Sequence, residues 1–382
     1  MDSTPSPPAV TPSRLWSLDV LRGACALAVF LCHWHLWSDF APRGAFERFV
    51  RGFLENGYSA FVNLTWPTGG HHPAVICFFV LSGFCIHYPA ALRTLDGQPH
   101  PAWSVYFRRR FRRIMPAFWA ACLLGLIFVL VEARHPSGSI LLGEHATGSP
   151  GEISLRFAGL SGFYPREIFG GNYPLTTVAV EIVMYALYPA FHYFASRGHW
   201  TGLGLAFLAL QVVALQLLNF LTPFWVFNSV LMLGIFWYVG ALAADRFVKG
   251  RAHVRGIWFL LSWLGFLGLK GIPHFYGLNI IRQDAWAVVC ALGMLWALGR
   301  EARDPGARGR PLIRAMRYSG RISYSVYAMH APAIMLATWL MIVVIGNRDY
   351  LLQLGATFTA ALVATMVTFY GVERMFYRPR VE

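Results

Sequence analysis

Apolar residues run along this chain in long stretches broken by short polar ones. Ten such stretches stand out, at about 15–37, 73–92, 114–132, 173–195, 200–218, 227–245, 256–272, 283–299, 322–345 and 351–376. Each is near the roughly 20 residues that a helix needs to cross about 30 Å of hydrocarbon. Lipid offers no partners to backbone amides, so a spanning segment must satisfy its own, as a helix does. The pattern predicts an all-α, polytopic integral membrane protein of about ten transmembrane helices. Residues 15–378 are expected to form one membrane domain with no fused soluble domain. Two connections are long, 38–72 and 133–172. Both contain Gly, Pro and aromatic residues and are expected to fold over one mouth of the bundle.

Composition agrees. The chain is 56% hydrophobic and 13% charged, with a mean hydropathy of +0.48, whereas a soluble domain is about 25% charged. Residues 1–14 are rich in Pro, Ser and Thr and are expected to be a disordered cytoplasmic tail. They lack the basic region and small-residue cleavage site of a signal peptide, so the first span is expected to be retained. The net charge of +14 does not indicate nucleic acid, because the cations sort by topology. With ten spans, 22 of the 32 Lys and Arg residues fall on one side, nine on the other, and Arg22 within a span. The positive-inside rule makes the richer side cytoplasmic, with both termini there. The six cysteines all lie in apolar segments without metal-ligand or CxxC spacing and read as small buried residues. No metal site, Walker motif or dinucleotide fingerprint is present, and no internal repeat of a transporter-like period.

Five polar constellations interrupt the apolar pattern. Arg22 and His33 lie in the first span. Eleven residues bring them within about 20° in azimuth and about 16 Å apart along a helix. One reading is a functional pair, since ionisable residues inside a membrane are costly. The other has Arg22 reach the cytoplasmic interface and pair with Asp19, leaving His33 interfacial beside Trp34 and Trp37. His35 points about 200° away from His33. The second constellation is the run Tyr106 to Pro116, with five arginines in six positions. On a helix Arg110 and Arg113 share one face and Arg109 and Arg112 the next. Such pairs grip phosphate, or they anchor lipid headgroups. Third, Ser82 and Gly83 are small residues in a bulky span, suited to close helix packing or to the passage of a ligand. Fourth, Glu181 sits mid-span and needs a partner, for which Arg22 is the expected cation. Fifth, His330 lies in Ser323 to Pro332, as a packing or a catalytic histidine.

In this order the segments resemble the membrane-bound acyltransferase-3 family. Its opening LDxLRGxxAxxV…H helix is matched by Leu18 to Val29 with Arg22 and His33. Its FFxLSGF is matched by Phe78 to Phe84, and its RRxxRIxP by Arg109, Arg110, Arg113, Ile114 and Pro116. Val180, Glu181, Tyr185, Tyr188 and Pro189 match its glutamate stretch, Ser323 to Pro332 its SYSxYxxHxP element, and Val372 to Arg378 its tail. Two departures stand in the glutamate stretch: Pro174-Leu-Thr-Thr replaces the usual Trp-Ser start, and Ile182 a second Glu.

The family O-acylates O-antigens, exopolysaccharides, Nod factors, glucans and macrolides. The resemblance implies a bacterial inner-membrane enzyme that moves an acyl group from cytoplasmic acyl-CoA, acetyl-CoA being the expected donor, to a hydroxyl of a carbohydrate or glycolipid at the outer face. Acyl-CoA is then a substrate, and no permanent cofactor is implied. His33 becomes the candidate base on a polar tunnel, with Arg22, Glu181 and His330 beside it. Arg109, Arg110, Arg113, Ser82, Gly83 and Tyr185 become candidate substrate contacts. Membrane lipids and a second copy of the chain are further candidate partners. Two other classes fit the same architecture: a flippase for a lipid-linked glycan, with Arg22, Glu181 and His33 as a relay, and a non-catalytic partner in polysaccharide export.

Overall fold

The computed structural model describes residues 15–37, 40–67, 71–160, 170–220, 225–251, 254–273 and 278–376, without the side chains of 215–220 and 225–229. The tail 1–14 and the end of the last motif, Tyr377 and Arg378, lie outside them. Among the described residues every regular element is helical. Ten of the helices answer to the ten apolar stretches: α1 (Trp16–Leu36), α3 (Pro73–Leu95), α4 (Trp103–Arg134), α7 (Leu175–Ser196), α8 (Trp200–Phe220), α9 (Trp225–Val248), α10 (Gly256–Gly271), α11 (Leu278–Arg303), α12 (Pro311–Trp339) and α13 (Tyr350–Thr368). Eight are long and apolar enough to cross a membrane, counting the π-turns that extend α12 and α13. α8 and α10 are apolar but shorter where described.

The long connections are helical too. The first holds α2 (Ala45–Thr65) and the second α5 (Ile140–His145) and α6 (Pro150–Phe157). α2 buries none of its side chains. Phe46, Phe49 and Phe53 form an exposed stripe at helical spacing, as in helices that lie at a lipid interface. Its C-terminal end is fastened to α10. The Lys270 ammonium donates to the Val62 and Asn63 carbonyls at 2.8 Å, and the Trp263 indole to the Leu64 carbonyl at 3.0 Å. A cation at a helix C-terminus offsets the dipole and supplies carbonyls with donors. The second connection packs down on α4 and α12 through Leu142, Phe128, Met335 and Trp339. Buried Arg156 donates to the Asn172 carbonyl at 3.0 Å, and the Asn172 amide to the Ala328 carbonyl at 2.8 Å.

α3 sits centrally, packed against α9, α1, α11 and α7. Two of the helix pairs meet backbone to backbone. A Cβ on Gly83 would lie 1.9 Å from the Trp237 carbonyl oxygen, and one on Gly240 1.9 Å from that of Val80, so each glycine admits the other's helix. α1 and α12 do the same: a Cβ on Gly320 would lie 1.8 Å from the Asp19 carbonyl oxygen, and one on Gly23 2.6 Å from that of Met316. Lipid provides no hydrophobic drive between helices, so close approach at small residues carries association. The α1 N-terminus is capped from α11, where the Glu301 carboxylate accepts from the Trp16 and Ser17 amides at 2.8 and 2.9 Å. Trp237, Tyr188, Phe84 and Phe118 fill the core around these contacts.

Alanine at Gly83 or Gly240 should therefore force α3 and α9 apart. Overpacking of this kind costs about 1–3 kcal/mol. In detergent-solubilised protein both variants should unfold at lower temperature, whereas Gly268→Ala, in open space, should match wild type. Equal melting of all three would remove the packing argument.

Candidate active site

One cavity, of about 100 Å³, lies between α1, α3, α4, α7 and α12. Its cationic side chains are Arg22, Arg110 and Arg113. The eleven residues before the predicted third span continue α4 as helix, which puts Arg110 and Arg113 on the cavity side. Arg110 stacks over the Tyr106 and Tyr185 rings, 5.6 and 5.8 Å from their centroids. The polar wall opposite is Ser82, Glu181 and Tyr185. Ser82 Oγ donates to Glu181 Oε1 at 2.7 Å, the Tyr185 phenol donates to the same oxygen, and Ser82 Oγ lies 3.3 Å from the Tyr185 hydroxyl.

Three expectations change. Glu181 does not pair with Arg22. It takes its hydrogen bonds from Ser82 and Tyr185, and the Arg22 guanidinium faces Asp19 at 3.7 Å. The two side chains share the cavity without forming an ion pair, because Asp19 is one turn away from Arg22 on the same helix. Gly83 does not line the cavity, since its face of α3 is pressed against α9. Arg109 does not line it either; its side chain is exposed.

His33 and His330 meet farther out. His33 Nδ1 and His330 Nε2 are 2.8 Å apart, and His330 Nδ1 lies 3.0 Å from the Val326 carbonyl oxygen. A carbonyl only accepts, so His330 carries its proton on Nδ1 and its Nε2 is a lone pair. His33 must then donate from Nδ1, which leaves its Nε2 as a proton acceptor. His330 is 1% exposed. The His33 ring is stacked on Trp37, centroids 4.1 Å apart, and Trp37 meets His145 of α5 edge-on at 5.2 Å.

The lining of this cavity stops short of the pair. On α12 it is lined by Ser323, Tyr324 and Tyr327, and His330 follows one turn later. Tyr327 and Phe78 meet edge to face at 5.5 Å at that end, and the Tyr327 hydroxyl is tied to Thr177 Oγ1 at 2.6 Å. Sequence reasoning passed over Tyr324, Tyr327 and Thr177 as site residues, and took Trp37 only as an interfacial neighbour of His33. Tyr327 precedes His330 by three positions and Trp37 follows His33 by four, spacings that put each on its histidine's face.

The sequence model of the acyltransferase-3 family, described as an acyltransferase domain, matches residues 15–372. The chain belongs to that family. It is also similar to acyltransferase MdmB of Streptomyces mycarofaciens, 31% identical over 188 residues. The match covers 49% of this chain and 41% of that relative, so it spans well under two thirds of the relative's length. No solved structure matches. Several of its helices are long and apolar enough to cross a membrane, and the family model and that relative's name point to acyl transfer.

Glu181→Ala would leave the half-buried Ser82 and Tyr185 hydroxyls without their shared acceptor. Each lost partner costs about 1–3 kcal/mol, so the variant should melt well below wild type. Ser82→Ala, which leaves Glu181 with Tyr185, should cost nearer 1 kcal/mol. A Glu181→Ala protein as stable as wild type would mean that the carboxylate does not organise this wall.

Proposed function

We propose that the chain transfers an acyl group from acyl-CoA, held at the cytoplasmic side, to a hydroxyl of a cell-envelope glycan or glycolipid presented at the outer face of a bacterial inner membrane. The observation that carries this reading is the chain His33, His330, Val326 carbonyl, which leaves His33 Nε2 as a base at the outer end of the line begun by Arg110 and Arg113. The charge sorting of the loops supports the orientation, with both termini cytoplasmic. Family membership favours transfer over the flippase and export-partner readings.

The chemistry follows from the geometry. The CoA phosphates are anionic, and Arg110 and Arg113 present two guanidinium groups on one helix face. The pantetheine arm is narrow enough for a slender cavity. Arg22 and the Ser82–Glu181–Tyr185 wall offer it donors and acceptors along the way. At the far end the acceptor hydroxyl gives its proton to His33 Nε2 as its oxygen attacks the thioester carbon. The carbon–sulfur bond then breaks, and the imidazolium returns a proton to the departing thiolate. His330 shares the positive charge through its hydrogen bond and holds the His33 ring in one tautomer.

Two outcomes are expected. Replacing Arg110 and Arg113 together by Ala should weaken acyl-CoA binding by tenfold or more for each lost contact, at about 1.5–3 kcal/mol apiece, with acceptor binding little changed. Normal acyl-CoA affinity in the folded double variant would make the cluster a lipid anchor. His33→Ala should abolish incorporation of radiolabelled acyl groups while acyl-CoA still binds. His35→Ala, a change beside Tyr58 on another face of α1, should be mild. Wild-type incorporation by His33→Ala would end this assignment.

A further inference from the structure

His72 stands at the outer end of α3, one position before Pro73. Its Nδ1 accepts a hydrogen bond from the Ala74 amide at 3.1 Å and so caps the helix. A backbone amide only donates. His72 Nδ1 is therefore the lone pair, and the proton sits on Nε2. That Nε2–H is buried and has no hydrogen-bond partner. A buried donor left unpaired costs free energy unless something occupies it.

The direction of this donor follows from the helix. The cavity-facing stripe of α3 includes Ile86, Ser82, Phe79 and Val75. Stepping out by three more residues reaches His72, on the same face one turn above Val75. His330 stands one turn beyond Tyr327 on α12 at the same end. His330 lies near enough to His72 that positive charge on one opposes charge on the other. Burial holds His72 down to about 4, so it is neutral near pH 7 and its single proton stays on Nε2. The ring is also fixed in place. His71 donates from its amide and from Nδ1 to Gln283 Oε1, at 3.2 and 3.1 Å, and the Trp286 indole donates to the Pro73 carbonyl at 3.0 Å. The Trp66 ring packs edge-on against His72 at 4.8 Å, and Phe61 lies at 5.7 Å.

Four other donors near this level are spoken for. The Tyr327 hydroxyl is paired with Thr177, the Asn172 amide with the Ala328 carbonyl, His33 Nδ1 with His330, and His330 Nδ1 with Val326. We propose that His72 is a further catalytic residue, whose Nε2–H binds the oxygen of the thioester carbonyl and holds the oxyanion as the tetrahedral intermediate forms. The proposal rests on the reading of His33 as base. The two imidazoles have complementary tautomers, each set by the backbone or by a backbone-fixed neighbour. His33 Nε2 takes the proton of the attacking hydroxyl. The new C–O bond pushes the carbonyl electron pair onto oxygen, where His72 donates to it. On collapse the C=O bond reforms, the C–S bond breaks, and the thiolate leaves with the proton from His33. A prepositioned donor of this kind gains most where water is excluded.

The test separates the cap from the oxyanion donor. His72→Ser keeps a side-chain acceptor for the Ala74 amide but has no donor at the Nε2 position. His72→Gln places an amide N–H near that position and gives up the cap. The probe is acetyl-CoA with water as acceptor, read as release of CoA thiol from purified protein. His72→Ser should lower kcat on the order of 10²- to 10³-fold, with its melting temperature and KM for acetyl-CoA close to wild type. His72→Gln should melt lower and yet recover at least tenfold of the lost rate. Turnover by His72→Ser within threefold of wild type would overturn the proposal. So would a pair of variants whose rates follow their melting temperatures, which makes His72 a cap alone. His33→Ala, run alongside, identifies which idea has failed. If wild type releases no thiol, or His33→Ala releases it normally, the acyl-transfer reading falls and takes His72 with it. If those two behave as expected and His72→Ser stays active, only the role of His72 is lost.

Discussion

The hydrogen bond between His33 and His330 depends on a contact ten residues away on each helix. α1 and α12 run parallel and touch backbone to backbone at Gly23 and Gly320. From Gly23 to His33 and from Gly320 to His330 is the same number of residues, about 15 Å of helix. The glycines set both the separation and the register, and the imidazoles then meet at 2.8 Å. A side chain at either glycine would displace the helices, and with them the nitrogen that is left as base. Within the bilayer such precision has few other sources, because helices gain little from apolar burial against each other. Close backbone approach and satisfied polar groups are what remain.

The same constraint explains the handling of charge. Arg22 and Asp19 pair within one turn of α1, which keeps the cation near its own interface. Glu181 is surrounded by hydroxyl donors rather than a guanidinium. A carboxylate held this way can meet an amide or hydroxyl of an incoming ligand by exchanging one of its hydroxyl donors. A carboxylate locked against arginine would first have to give up an ion pair, at a cost of several kcal/mol in a buried site. The wall of the cavity is therefore polar without being committed.

Much of the architecture was legible because hydropathy in lipid is a strong, one-dimensional signal. All ten expected spans fall on helices, and the arginine run proved helical with Arg110 and Arg113 on one face. The α2 helix was missed for a physical reason. Half its surface is polar, so a window average hides it, and only the three- and four-residue spacing of Phe46, Phe49 and Phe53 marks it as amphipathic. The expected Arg22–Glu181 pair failed because two helices share no azimuthal reference in sequence. Intramembrane opposite charges attract in principle, but Asp19 lay closer. Gly83 illustrates the ambiguity of small residues, which admit a ligand or a helix; here the carbonyl of Trp237 occupies the space. His72 was invisible for a different cause. A histidine before a proline at a helix start looks like a loop residue until the cap fixes its tautomer.

The end of the cavity lining at Phe78 and Tyr327 bears on the proposed transfer between the two sides of a membrane. An open polar channel between an acyl-CoA mouth and an outer vestibule would conduct protons and water, dissipating the gradient and exposing the thioester to hydrolysis. In the proposed reaction the edge-to-face pair would act as a seal there, two rings 5.5 Å apart, with the Thr177 hydroxyl holding Tyr327 in place. The seal is thin, a single turn of α12 between Tyr327 and His330. A linear acyl thioester needs only that turn to bring its carbonyl from the polar wall to the histidines, whereas a hydrated ion would have to shed its water to follow. The seal therefore sits between the donor's polar wall and the proposed acceptor's base, where a slender apolar acyl chain crosses at least cost and charge crosses at the greatest.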